Sequence, residues 1–212
     1  MKKGLFITFE GVDGCGKSTQ ARFLAEYLKE QGMDAVLTRE PGGCEISELI
    51  RDIILNVKNT AMSSHTEALM YAAARAQLVD EVIRPALNAG RIVICDRFFD
   101  SSAAYQGFGR GLGIEYVLGI NAHAVESCMP DATFFMDFSP QDARHRMHRR
   151  TEKDRLESEP DEFFERVYAG FSALKQRYPE RYICVDVSGT KYETRDKIYA
   201  HAAELLEKWR NS

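Results

Sequence analysis

Five short apolar runs, spaced by stretches of helical periodicity, predict an α/β protein built on a parallel sheet. The runs are Leu5–Glu10, Ala35–Thr38, Ile92–Asp96, Thr133–Asp137 and Tyr182–Asp186. Each is nearly continuous in apolar character, as a strand covered on both faces must be. Helical spacing occupies Lys17–Gln31, Ser47–Asn56, Thr66–Ala89, Ile114–Ser127, Pro140–Arg150, Asp161–Tyr178 and Glu193–Arg210. Strands alternating with helices indicate βαβ units. Gly32, Gly90 and Gly189 stand at joins, where helices stop or the chain turns.

The 212 residues suit one compact domain, or a domain with a small appendage, and 44% hydrophobic content supplies a core. No apolar run approaches the roughly 20 residues needed to cross a bilayer. Met1–Ile7 resembles the start of a signal peptide, but Glu10 and a glycine-rich loop follow, which predicts a cytoplasmic chain. Cys15, Cys44, Cys95, Cys128 and Cys184 show no zinc-type spacing and read as reduced thiols. The net charge of −4 favours a small-molecule partner over nucleic acid.

The strongest local signal is Gly11-Val12-Asp13-Gly14-Cys15-Gly16-Lys17-Ser18-Thr19. It satisfies GxxxxGK[ST] between a predicted strand and a predicted helix, the context that the motif requires. Its glycines let successive backbone N–H groups wrap a phosphate, and the helix beginning near Lys17 adds its positive end. Lys17 is placed to reach β- and γ-phosphates, and the Ser18 hydroxyl to bind magnesium. The loop implies a nucleoside triphosphate without fixing the reaction. An NKxD-like base-reading motif is missing, which argues against a GTPase, and the length argues against a motor ATPase. Asp13 either faces a second substrate or stabilises the turn.

Three further clusters bear on that second substrate, since open α/β sheets bind ligands at the carboxyl ends of their strands. In Thr38-Arg39-Glu40-Pro41-Gly42-Gly43, Arg39 is suited to a phosphate, or the segment is simply a tight loop. Asp96-Arg97 ends a strand, which makes Asp96 a magnesium carboxylate and aims Arg97 above the sheet edge. Glu67, Tyr71 and Arg75 share a helical face, either as a base-reading set or as a boundary aromatic beside a solvated arginine. The run Arg144-His145-Arg146-Met147-His148-Arg149-Arg150, followed by Lys153 and Arg155, has three readings. These are a solvated face, a nucleic-acid patch, or a lid whose arginines close over a migrating phosphoryl group while excluding water. The acidic flank from Glu157 to Glu162 favours the lid.

Taken together, Gly11–Thr19, Arg39–Gly43, Leu69–Leu78, Asp96-Arg97, Tyr105-Gln106-Gly107 and the basic segment resemble the bacterial thymidylate kinase family. The resemblance covers nearly the whole chain. It implies a nucleoside-monophosphate-kinase fold with a five-stranded parallel sheet, a short arginine-rich lid at about residues 144–160, and a homodimer using helix 66–89. It also implies phosphorylation of dTMP by MgATP, with Gly11, Val12, Asp13, Gly14, Cys15, Gly16, Lys17, Ser18 and Thr19 holding ATP. Ser18 and Asp96 would then hold Mg2+. On the acceptor side it assigns Asp13 to the sugar or phosphate region, Arg97 and Arg39 to the monophosphate, and Tyr71 to stacking on thymine. Arg75 would hydrogen-bond the base, and Tyr105 would crowd the sugar 2′ position. Glu40, Ser101, Ser102 and Gln106 complete the implied dTMP set.

Catalysis is expected from Lys17, Asp13, Arg97 and the lid residues Arg149, Arg150 and Arg155. Gly14 stands where some members carry a catalytic arginine, Tyr71 where phenylalanine is usual, and Ala103 where a polar residue is common in a loop that reads the pyrimidine. A kinase for another monophosphate such as dUMP, and a non-catalytic P-loop regulator, stand as alternatives.

Overall fold

A computed structural model describes residues 4–126, 128–147 and 154–211. The strands form one parallel sheet in the order β2-β3-β1-β4-β5. They are β1 (Leu5–Glu10), β2 (Ala35–Arg39), β3 (Ile92–Asp96), β4 (Ala132–Asp137) and β5 (Tyr182–Asp186), each within a residue of its expected span. Every residue of β1 is buried, which explains the unbroken apolar run, whereas the edge strands β2 and β5 are partly exposed. The register sets Phe9 beside Asp96, and Asp96 beside Arg39. The carboxyl ends of the three strands that carry the motifs are therefore level.

Helices cover both faces: α1 (Lys17–Glu30), α2 (Glu45–Leu55), α3 (Ser64–Leu78), α4 (Arg84–Asn88), α5 (Phe99–Ser102), α6 (Ile114–Glu126), α7 (Pro140–Met147), α8 (Asp161–Arg177) and α9 (Lys191–Asn211). On one side, Leu24 and Leu28 of α1 and Ile198 and Leu206 of α9 pack against Ile7, Phe9 and Phe134. On the other, Leu78 and Val125 meet Phe6, Val93 and Phe98. A third cluster joins α8, through Phe163, Val167 and Phe171, to Tyr105 and Phe135. There Gly170 allows close approach, since a Cβ would lie 2.9 Å from the Ala104 Cα.

Helix starts follow capping chemistry. The Ser63 hydroxyl accepts from the Thr66 N–H at 3.2 Å. Thr190 and Glu193 exchange bonds of 2.7 and 3.2 Å as a capping box. These caps place the starts of α3 and α9 two residues earlier than periodicity alone suggests.

Two expectations need correction. The span 66–89, read as one regular helix, contains a π-helical turn at Val79–Ile83 just before Pro85, which has no N–H to continue the ladder. The segment after Arg97, read as a loop, is helical: α5 runs directly into a π-helical stretch, Ala103–Gly109. Ala103 within it is fully buried in the third cluster, so it packs rather than reads a base. No helix among the described residues is long and apolar enough to cross a membrane.

Candidate functional site

The carboxyl ends of β1, β2 and β3 open into a cavity of about 510 Å³. Its floor is the glycine loop between β1 and α1. Gly16, the residue before α1, has φ 99°, a left-handed value that glycine adopts without penalty. That turn aims the first N–H groups of α1 at the cavity, where an anion would be welcome. The Lys17 Nζ lies at the mouth of the loop, donating to the Val12 carbonyl at 2.8 Å and to the Cys15 sulfur at 3.6 Å. Asp13, Gly14, Gly16, Lys17, Ser18 and Thr19 line the cavity, whereas Val12 and Cys15 turn into the core. Gly11 acts through its carbonyl, which accepts from Arg97 at 3.1 Å.

Asp96 reaches the same floor from β3, and the Ser18 hydroxyl donates to its Oδ2. Its other oxygen, Oδ1, is buried without a hydrogen-bond partner. Buried acceptors are almost always satisfied, so this atom is suited to a donor or cation brought with a ligand.

Arg97 stands at the centre of the site. Its guanidinium forms an ion pair with Asp13 and donates to the Ser101 hydroxyl at 2.9 Å. It also lies over the Tyr105 ring, 5.1 Å from the centroid. The Tyr105 hydroxyl donates to the other Asp13 oxygen at 2.5 Å. Burial would raise the Asp13 carboxyl, but Arg97, Lys17 and the Tyr105 hydroxyl outweigh it and hold the carboxyl at about 2. The arrangement is a fixed cation flanked by an ionised carboxylate and a phenol, anchored on the glycine loop through Asp13 and the Gly11 carbonyl.

The far wall comes from α3. Tyr71 lines the cavity, and burial pushes its hydroxyl well above the ordinary tyrosine value. Arg75, one turn on, also reaches the cavity, yet only 1% of its side chain is exposed. Its Nε donates to Glu40 at 2.7 Å, its Nη1 to Asn121 at 2.6 Å, and its Nη2 to the Ser102 hydroxyl at 3.1 Å. The reading of a solvated arginine is thereby overturned. Burial lifts the Glu40 carboxyl to about 7 against the pull of Arg75. Glu67, at the start of the same face, is buried between Arg110 and Arg155 and accepts from Gln106 at 2.9 Å.

Sixteen of the anticipated residues thus share one cavity: Asp13, Gly14, Gly16, Lys17, Ser18, Thr19, Arg39, Glu40, Tyr71, Arg75, Asp96, Arg97, Ser101, Ser102, Tyr105 and Gln106. Arg155 lies outside that set. Its guanidinium pairs with Glu67 and donates to the Ile54 carbonyl at 2.9 Å, and it is not part of the cavity wall. A buried carboxylate offers it a better partner than the open cavity does. Arg149 and Arg150 lie outside the described residues.

Among the lining residues that sequence reasoning missed are Arg51 and Asp154. Arg51 of α2 lines the cavity and donates to the Pro41 carbonyl at 2.8 Å, while burial and the nearby Arg39 cation lower its pKa. Asp154 lines it too, and it caps its own turn by accepting the Leu156 and Glu157 N–H groups, each at 2.8 Å. In sequence, each reads as an ordinary solvated charge.

The family model described as Thymidylate kinase matches residues 9–198. A thymidylate kinase of an Exiguobacterium species is 45% identical over 204 residues, covering 96% of both chains. One from a Thermoanaerobacter species is 49% identical over 184 residues, covering 87% of this chain and 90% of that one. The crystal structure of thymidylate kinase from Ehrlichia chaffeensis superposes with a TM-score of 0.76 at 32% identity, over 94% of this chain and 99% of that one.

Proposed function

This chain belongs to the thymidylate kinase family, and from that premise we propose that it transfers the γ-phosphoryl group of ATP to dTMP, giving ADP and dTDP. The observation that carries the reading is Arg97, held beside the glycine loop by Asp13, the Gly11 carbonyl and Tyr105 in the cavity that Lys17 also lines. A fixed cation in a cavity that Tyr71 and Arg75 also line suits an acceptor nucleotide, whose phosphate must be held within reach of the donor's.

In this mechanism an oxygen of the acceptor phosphate attacks the γ-phosphorus in line as the bond to the ADP oxygen breaks. The attacking oxygen is already anionic, so no strong base is required. The loop N–H groups and Lys17 hold the donor phosphates, and Arg97 holds the acceptor phosphate with Asp13 fixing its orientation. Arg39 and Arg51 add positive charge on the acceptor side. Ser18 and Asp96 would hold magnesium, for which the unpartnered Oδ1 of Asp96 is suited. Bound there with ATP, the ion supplies charge neutralisation at the β- and γ-phosphates. Tyr71 stacks on the base, while Arg75, Ser102 and Gln106 read its edge.

We assign the basic segment to a lid over about residues 144–160 of a single domain, with Arg149 and Arg150 as its phosphate-facing residues. Arg155 seats the lid on α3 through Glu67. The five cysteines are free thiols, which supports a cytoplasmic setting. A homodimer is supported by Ile46, Leu49 and Ile53 of α2 and Leu69 of α3, all large apolar residues about half exposed or more.

ADP release with MgATP against dTMP, dUMP, dCMP, UMP, AMP, GMP and thymidine tests the assignment. Selective turnover of dTMP supports it. Selective turnover of another monophosphate would retain the phosphoryl chemistry and refute the thymine pocket.

A further inference from the structure

Glu10 ends β1 immediately before the glycine loop, is fully buried, and does not line the cavity. Three donors converge on its carboxylate, all from the segment just after Arg97. The Phe98 N–H reaches Oε1 at 2.7 Å and the Ser101 N–H reaches it at 3.4 Å. The Ser101 hydroxyl lies 2.5 Å from Oε2. Phe98 precedes α5, so its N–H is one that a helix start leaves unpaired, whereas the Ser101 N–H is shared between Glu10 and the Phe98 carbonyl at 3.1 Å. No side chain of the α5 segment itself caps them. The Glu10 carboxyl group, borrowed from the neighbouring strand, does so instead.

This cap controls an unusual backbone. Arg97 is the one non-glycine residue among those described with positive φ, 72°. A left-handed conformation at such a residue is unfavourable and must be held by its surroundings. It is pinned on one side by its own N–H, bonded to the Phe9 carbonyl at 2.9 Å, and on the other by Phe98 on Glu10. The same Ser101 hydroxyl that meets Glu10 also accepts from the Arg97 guanidinium. Glu10 therefore reaches Arg97 twice, through the backbone and through Ser101.

We propose that Glu10 is a positioning residue for the acceptor phosphate, setting the turn and the guanidinium of Arg97 without touching substrate. The inference rests on the reading that Arg97 holds the acceptor. If Glu10 merely filled the core, its loss would weaken the whole fold and affect both substrates. Asp100 anchors α5 independently, through Arg181 at 2.6 and 2.7 Å, so the helix has support when Glu10 is changed.

The test is a kinetic cycle of Glu10→Ala, Glu10→Gln, Arg97→Ala and the double Glu10→Ala/Arg97→Ala. Glu10→Ala is expected to raise the dTMP KM about tenfold or more with the ATP KM within about twofold. Glu10→Gln keeps an Oε1 acceptor for both N–H groups and returns the dTMP KM to within about threefold of wild type. In the Arg97→Ala background, Glu10→Ala adds less than about a twofold change. Effects that multiply in the double variant, or equal rises in both KM values, overturn the proposal. If Glu10→Ala does not fold, Glu10→Asp, which draws the carboxyl group back from the Phe98 N–H by one methylene, takes its place in the same cycle with the same criteria. If the wild-type protein does not turn over dTMP, the acceptor assignment fails, and a crystal structure of Glu10→Ala decides the positioning separately. An Arg97 displaced from Asp13 supports it, and one left in place refutes it.

Discussion

Replacing Arg97 by alanine removes the fixed cation held beside the glycine loop. Its guanidinium is 17% exposed and held by Asp13, the Gly11 carbonyl, Ser101 and the Tyr105 ring, so little reorganisation precedes binding. A guanidinium in this setting can offer an acceptor phosphate two charge-assisted hydrogen bonds. At about 1.5 kcal/mol each, the low end for bonds to charged groups, the pair contributes about 3 kcal/mol. That corresponds to roughly a hundredfold loss in kcat/KM for dTMP, at about 1.4 kcal/mol per decade. The loss should fall mainly on the dTMP KM, leaving the ATP KM within about twofold, because donor phosphates are held by the loop and Lys17. Steady-state ADP release with each substrate varied in turn measures both. A large rise in the ATP KM with an unchanged dTMP KM would place Arg97 on the donor side and refute the acceptor-side reasoning.

Three further outcomes follow from the same geometry. Arg75→Met strips the partner from buried Glu40 and should cost about 3–5 kcal/mol, lowering Tm by about 6–20 °C. Adding Glu40→Gln should recover much of that loss in a thermal melt, and a double variant no more stable than Arg75→Met would contradict the pairing. Asp13 has a folded pKa of about 2, below its unfolded value near 3.9. Its contribution of about 2.5 kcal/mol is therefore present above pH 4 and lost as pH falls toward 2. Denaturant melts should show Asp13→Asn flattening stability over that window, and an unchanged slope would rule the linkage out. Leu49→Lys, on the exposed apolar face of α2, should shift the protein from dimer to monomer in light scattering without loss of helical content. A dimer retained at low micromolar protein would move the interface elsewhere.

The sequence made the sheet and the phosphate loop legible because both are local. Strands covered on two faces must be continuous apolar runs, and the glycine loop needs its residue types at fixed spacing. What escaped depends on partners distant in the chain. The helix after Arg97 carries no cap of its own, since its cap is Glu10, 88 residues before Phe98. Arg75 reads as a solvated residue until Glu40 and Asn121, 35 and 46 residues away, are brought around it. Arg155 sits in a basic run that suggests phosphate contact, but the fold sets it against Glu67. Arg75 is buried rather than solvated for the same reason that the cavity exists. Charges buried on a helix face need paired partners, and here those partners come with the site.

The most direct test of the central claim is phosphorus NMR of the product mixture formed from MgATP and dTMP. The account predicts ADP and dTDP appearing in equal amounts, with no accompanying inorganic phosphate. ADP with stoichiometric inorganic phosphate and untouched dTMP would mean hydrolysis rather than transfer, and would contradict the assignment of Arg97, Tyr71 and Arg75 to an acceptor nucleotide.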